Sequence, residues 1–576
     1  MILHVIHRKR PWDSRARDAR ARRTLLSIWF FLGLLPLFLR PLWEPDEGRY
    51  AEIPREMLAS GDWLTPHLNG LLYFEKPPLQ YWLSAVSMKL FGLHAWAARL
   101  PLALAAGLML WAAWRLARRL GARDPRWAAF MAATSLLTFV TGQLLTLDAL
   151  FSAFLVAATA CFIEAVAARY EERPAYGWTL ATFALLAFAL LTKGVAEVVL
   201  SGGIVVLALP FAWKDRRLRS AVLRTTFDPL GWLLYLALAV PWFVLVNRAN
   251  PGHAWFFFIH EHFTRFLTHQ HARQGSSNWF LDKLYFIGIL GVGLLPWLSA
   301  AVVGLRRGLG LLRNTAKGPQ AEGAPLHRWT LAMLVMAFAW PLLFFSVSGS
   351  KLPPYVLPCI VPLMALAVAF EREGEEQRSL TRTGIELMAL GALLGVAGLL
   401  AQRQLGDGGS WALLPGPALF LLGLWCLRPK GMNAAGWMAA LGASLWMLAF
   451  GVHRAVGPDK DIGPLVRRAP ANARWISFGV YYQTLPLHSR ERAVVVAGTG
   501  ELAFGRARLS PEEQRLWIPD EREALLPTAL RLREEAPARP VRILMKDRDW
   551  KELDPPTRDA LVQLDARGNN VVAGIR

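Results

Sequence analysis

Trp43-Glu44-Pro45-Asp46-Glu47-Gly48-Arg49-Tyr50 sets carboxylates, a guanidinium and a phenol close together. A helix opening near Pro45 would put Asp46, Arg49 and Tyr50 on one face. A carboxylate in the first turn also suits the positive end of the helix dipole. Asp46 and Glu47 are the candidate catalytic carboxylates here, with Arg49 and Tyr50 as binding groups. Tyr73-Phe74-Glu75-Lys76-Pro77-Pro78 is the second cluster. Lys76 offers a cation to a lipid phosphate, Tyr73 a pocket hydroxyl, and Glu75 either pairs with Lys76 or holds a metal. In Thr146-Leu147-Asp148, at the start of an apolar run, Asp148 is either another catalytic carboxylate or a simple charge on the helix dipole.

Two further clusters lie later in the chain. In Phe256-Phe257-Phe258-Ile259-His260-Glu261-His262-Phe263-Thr264-Arg265-Phe266, polar groups sit inside an aromatic stretch. A zincin needs two histidines four apart; His260 and His262 are two apart, so a protease site is not expected. Glu75 with His260 or His262 could form a looser site for zinc or magnesium, although no cofactor is required by the other residues. Arg265 has the planar fork that bonds two phosphate oxygens at once. In Ser348-Gly349-Ser350-Lys351-Leu352-Pro353-Pro354-Tyr355, Lys351 and Tyr355 join the candidate substrate-binding groups.

The elements that position these residues are apolar. Of 576 residues, 54% are hydrophobic and 19% charged, against roughly 25% charged in a soluble protein. The apolar residues come in blocks of roughly 17–24, long enough to cross a ~30 Å hydrocarbon layer. They lie near 24–42, 97–119, 127–143, 147–169, 177–192, 195–213, 228–247, 281–304, 328–347, 354–371, 383–402, 411–427 and 432–451. About thirteen transmembrane helices are therefore expected. The net charge of +21 does not indicate nucleic acid, because the basic residues fill short loops between apolar blocks, as the positive-inside rule requires. The three cysteines fall inside apolar blocks, so no disulfide framework is implied. The basic N-terminus, with no small-residue cleavage site after the first apolar run, predicts an uncleaved first helix with a cytoplasmic arm.

Alternating the loops places Arg115–Arg126, Lys214–Arg219, Arg306–Lys317, Arg372–Arg382 and Arg428/Lys430 inside. That parity holds only if 77–92 does not cross. Gln80, Ser84 and Ser87 form a stripe opposite Tyr81, Trp82, Val86 and Leu90, so the segment reads as an interfacial helix. The outer segments are then 43–96, 248–280 and 348–353, followed by a polar chain from 452 to 576. Strand-like runs at Trp475–Tyr482, Ala493–Ala497, Val541–Met545 and Asn570–Ile575, with helical stretches at 511–535 and 556–566, make that chain a small α/β domain. The division is a membrane domain, 1–451, and a soluble domain, 452–576.

PDEGRYAEIPREM (Pro45–Met57), YFEKPPLQYW (Tyr73–Trp82), HEHFTRF (His260–Phe266) and SKLPPYVLP (Ser350–Pro358) resemble the bacterial lipid A 4-amino-4-deoxy-L-arabinose transferases. These belong to the GT-C superfamily of polyprenyl-phosphate-sugar-dependent glycosyltransferases, alongside the protein O-mannosyltransferases. The likeness covers the membrane part, and the C-terminal domain only in size and placement. It implies a GT-C fold with a periplasmic α/β domain. The donor would be undecaprenyl phosphate carrying aminoarabinose, and the acceptor a lipid A phosphate. A monomer among membrane lipids would act at the periplasmic face of the bacterial inner membrane, and its product would resist polymyxin and cationic peptides. By the resemblance, Asp46 matches the catalytic aspartate, and Tyr50, Glu75, Lys76, Asp148 and Arg265 match pocket positions. A transferase with another glycan or protein acceptor is the alternative. A lipid-linked sugar transporter is the non-enzyme reading; it fits less well, because no repeat is seen and the charges gather at one face.

Overall fold

A computed structural model describes residues 11–264, 279–314, 323–405, 413–428 and 434–576. Among these, eight helices have the length and apolar composition to cross a membrane: Asp18–Phe38, Ala95–Arg119, Leu147–Tyr170, Tyr176–Lys193, Arg216–Ala249, Ala324–Val347, Glu376–Leu400 and Ala435–Lys460. Leu281–Gly293 and Leu298–Arg313 pass the same test only as a pair, and they meet at a bend of 114°. Ala196–Ala212, Pro353–Ala369 and Pro415–Cys426 are shorter. The expected block at 127–143 is two short helices, Arg126–Thr134 and Leu136–Thr141, parted at Ser135, whose backbone is extended. Outward-facing Leu230, Leu233, Leu236, Val240 and Val244 line one side of the Pro229–Ala249 helix, the arrangement a hydrocarbon solvent favours.

Hydrocarbon cannot hydrogen-bond an interrupted backbone, so each break must be satisfied from within the protein. The Leu136 N–H donates to the Leu295 carbonyl (3.0 Å), joining the break at Ser135 to the bend. Trp297 Nε1 donates to Thr134 Oγ1 (3.0 Å). The Glu386 carboxylate accepts from the Leu298 and Ser299 N–H groups (2.8 and 2.7 Å) and so caps the second arm of the bend.

The described chain forms two compact units. One is built chiefly from Pro101–Leu400; the other joins Phe38–Leu100 to Phe450–Arg576. Residues 38–100 thus group with the C-terminal chain, a different division from a cut at 451/452.

The second unit holds a five-stranded mixed sheet in the order Val494–Val496, Arg474–Phe478, Val541–Lys546, Asn570–Ile575, Leu561–Arg567. The first two pairings are parallel and the last two antiparallel. Alternation puts Ile476, Phe478, Ile543, Met545, Val571 and Ala573 on the face covered by Leu525, Ala529 and Leu532. Trp475, Leu544 and Val572 turn to the other face, against Ile462, Leu465 and Leu485. The helix expected over 556–566 is Pro555–Ala560 only; Leu561–Arg567 is an edge strand closing a hairpin at Gly568. Leu561 is its one buried residue and Val562 and Leu564 are exposed, so no alternating apolar face marks the strand.

In the same unit the segment 43–96 forms the Asp46–Ser60 helix, a short hairpin turning at Asn69-Gly70, and the Leu79–Phe91 helix. Gln80, Ser84 and Ser87 of that last helix are buried, and Val86, Leu90 and Phe91 are exposed. The polar stripe therefore faces protein, with Gln80 donating to Ser84 and Ser84 to the Ala98 carbonyl. Tyr81, expected on the opposite face, is buried beside it.

Two carboxylates pin the start of the Asp46–Ser60 helix. Glu47, expected as a catalytic group, has both oxygens held by Arg40 and Arg99, with Arg99 Nε and Nη2 each 2.8 Å away. Burial opposes its charge, but the two guanidiniums win and hold its pKa at about 2. It is a structural anion. Glu44 accepts from the Gln483 N–H (2.9 Å), the Thr484 N–H (2.6 Å) and the Thr484 hydroxyl. Burial pushes the Glu44 carboxyl up to about 7, against those hydrogen bonds.

A pKa raised in the fold contributes stability present below the unfolded value, near 4.5, and lost as pH rises through 7. Wild type should therefore gain thermal stability relative to Glu44→Gln as pH falls from about 8 to about 5. Melting curves of the two proteins in detergent check this; a difference that shrinks on acidification contradicts it.

Candidate active site

In the second unit the acidic cluster centres on Arg49. The guanidinium lies one helical turn from Asp46, and Nη2 donates to Oδ1 at 2.6 Å. Arg49 also pairs with Glu501 of the C-terminal domain. Its guanidinium stands 5.2 Å from the Tyr50 ring, which stacks on Tyr81 at 5.9 Å. Burial disfavours the Arg49 charge, but Tyr73, Tyr50, Asp46 and Glu75 outweigh it and raise the pKa. Tyr73 and Tyr81 are pushed well above the ordinary phenol value, first by burial. Both remain neutral hydroxyls able to donate to an anion.

The side chains of Arg49 and Asp46 differ sharply in exposure, 5% against 55%. The cation is fixed inside while its carboxylate partner reaches the surface. That geometry orients Asp46 and leaves one of its oxygens for another molecule. Lys76 follows Glu75, is half-buried, and donates to the Glu75 carbonyl at 2.7 Å.

The first unit, taken by itself, holds another ion pair. Asp148, in the first turn of Leu147–Tyr170, accepts from Lys193 at 2.6 Å. Lys193 ends the Tyr176–Lys193 helix and lies against the rings of Tyr355 (4.1 Å), Phe151 (5.2 Å) and Phe345 (5.6 Å). An ammonium among aromatic faces gains from their quadrupoles while keeping its carboxylate partner. Sequence reading missed Lys193. The available signal was a lone charge between the apolar runs 177–192 and 195–213, expensive at membrane depth unless it has a partner or a function.

Lys351 occupies a different place from the one expected. It is fully buried, and Nζ donates to the Ser348 (2.8 Å), Ser346 (3.0 Å) and Phe345 carbonyls, with Asp282 at 3.5 Å. It closes the carbonyl end of the Ala324–Val347 helix and is unavailable to a ligand phosphate. Tyr355 does belong to the Lys193 cluster.

His260 stacks on Phe256 (5.1 Å), with Nδ1 3.9 Å from Glu261. The side chain of His262, and Arg265 altogether, lie outside the described residues. Among the described residues no three His, Cys, Asp or Glu side chains group as a metal site would need.

Long apolar helices with ion pairs at their ends mark a membrane-embedded protein. Comparison with known proteins gives the class. The family of dolichyl-phosphate-mannose-protein mannosyltransferases matches residues 75–245. The undecaprenyl phosphate-α-4-amino-4-deoxy-L-arabinose arabinosyl transferase 1 of Sodalis glossinidius (strain morsitans) is 34% identical over 434 residues, covering 73% of each chain. The crystal structure of ArnT from Cupriavidus metallidurans in the apo state matches 98% of both chains at 26% identity, with a TM-score of 0.74. The undecaprenyl phosphate-bound form of the same protein matches 97% of both at 27% identity and TM-score 0.74. The fold is GT-C, and the protein is a polyprenyl-phosphate-sugar-dependent glycosyltransferase. It belongs to the family of undecaprenyl phosphate-aminoarabinose arabinosyl transferases.

If Asp148 and Lys193 act as one unit, Asp148→Asn and Lys193→Gln should each slow sugar transfer, and the double variant should be no slower than the worse single one. Such non-additivity corresponds to a coupling of about 1–3 kcal/mol. Strictly additive losses in a double-mutant cycle on turnover would contradict it.

Proposed function

We propose that the chain transfers 4-amino-4-deoxy-L-arabinose from undecaprenyl phosphate to a phosphate of lipid A, as a single chain at the periplasmic face of the bacterial inner membrane. The observation carrying this reading is the exposed Asp46 carboxylate anchored by buried Arg49, in a chain of this family. In the reaction the anomeric carbon–oxygen bond to the donor phosphate breaks. A new bond forms to an oxygen of the acceptor phosphate, and undecaprenyl phosphate leaves. Charge builds on the leaving phosphate, where Lys76 supplies a cation. The acceptor is anionic near neutral pH and needs little help from a base. Asp46 therefore acts on the other partner, stabilising positive charge at the anomeric carbon during a single inverting displacement. The added amine makes lipid A less negative and weakens its attraction for cationic peptides such as polymyxin.

Mass spectrometry of lipid A from cells with and without the gene tests this. A shift of one aminopentose residue is expected only with the gene; no shift would point to a different acceptor. Lys76→Ala removes a charge-assisted hydrogen bond of roughly 1.5–3 kcal/mol, so donor use should fall about 10–150-fold. Lys76→Arg, which keeps the charge, should retain more of that activity. Wild-type donor use by Lys76→Ala would remove Lys76 from the phosphate site.

A further inference from the structure

The C-terminal domain reaches the acidic site through its own residues. Gly48 packs against the 483–484 segment so closely that a Cβ there would lie 2.8 Å from the Thr484 nitrogen. Gly505 packs against Leu71 and Leu72 in the same way. The rings of Phe74 and Phe504 are 5.4 Å apart, and Arg508 lies over both. Between these contacts Gln483 Nε2 donates to Glu501 Oε2 (3.3 Å), and the Glu501 carboxylate pairs with Arg49.

We propose that Glu501 is a positioning residue for sugar transfer, holding the Arg49 guanidinium between two carboxylates. This rests on the reading of Asp46 as the reacting carboxylate. Arg49 is buried, and Asp46 and Glu501 are the carboxylates paired with it. With Glu501 in place, neither acid neutralises the cation alone, and Asp46 is held at one edge of the guanidinium with its remaining lone pairs directed outward. Without it, the buried cation draws Asp46 into a tighter single pair and away from the substrate. The soluble domain is then part of the active site. It supplies no reacting group, but it fixes the charge that aims one.

The test uses the full-length protein in detergent, with undecaprenyl phosphate-aminoarabinose and lipid A. Glu501→Gln keeps shape and removes charge; Glu501→Asp keeps charge. Glu501→Gln is expected to lower kcat on the order of tenfold, with KM for the donor within about twofold and the melting temperature unchanged. Glu501→Asp should recover at least about half of wild-type kcat. Wild-type kcat per folded molecule in Glu501→Gln would overturn the proposal. So would a rise in KM alone, or equal losses in both variants accompanied by lower melting temperatures, which mark a purely structural role. If wild type itself does not turn over this pair of substrates, the proposed function fails instead.

Discussion

The site depends on one buried anion. Glu47 sits between Arg40 and Arg99, in the first turn of the Asp46–Ser60 helix, with both oxygens occupied. Successive helical residues point about 100° apart. Turning Glu47 inward therefore turns Asp46 toward the surface and brings Arg49, one turn on, beside it. Arg99 also donates to the Arg40 and Pro41 carbonyls (both 2.7 Å), tying the chain leading into the helix to the Ala95–Arg119 helix. A buried pair of this kind is strongly destabilising to break, because the remaining charge is left without compensation. Its value here is orientation: the neighbouring acid is presented in one direction.

The same logic recurs in the first unit. Lys193 with Asp148, Lys351 with the end of the Ala324–Val347 helix, and Glu386 with the second arm of the bent pair are charges spent on polar groups that hydrocarbon would leave unsatisfied. Lys351 and Glu386 serve the backbone. Lys193 is set among three aromatic rings and an acid at a helix start.

The parts of this arrangement legible in the sequence were those with a period or a local string. The apolar blocks marked the helices, the 46/49/50 spacing marked one face, and the Gln80/Ser84/Ser87 stripe marked the helix that follows Pro78. What stayed hidden depended on partners distant in sequence. Glu47 and Asp46 are adjacent acids with no local feature to separate them; only Arg40 and Arg99, the latter 52 residues away, assign their roles. Lys351 reads as an outer cation until the carbonyls it caps are in place. The Leu561–Arg567 strand has its apolar residues out of alternation, with Val562 and Leu564 exposed, and is revealed by pairing with Asn570–Ile575. Glu501, on a short helical turn of the C-terminal domain, carries no sequence signal linking it to Arg49.

The central claim is that adjacent acids divide the work, Glu47 holding the helix and Asp46 acting on the sugar. Turnover of purified Asp46→Asn, followed together with donor binding and thermal melting, tests it most directly. The account predicts melting and undecaprenyl phosphate binding close to wild type, with sugar transfer lost. Near-normal turnover by that variant, in a protein that melts as wild type does, would contradict it.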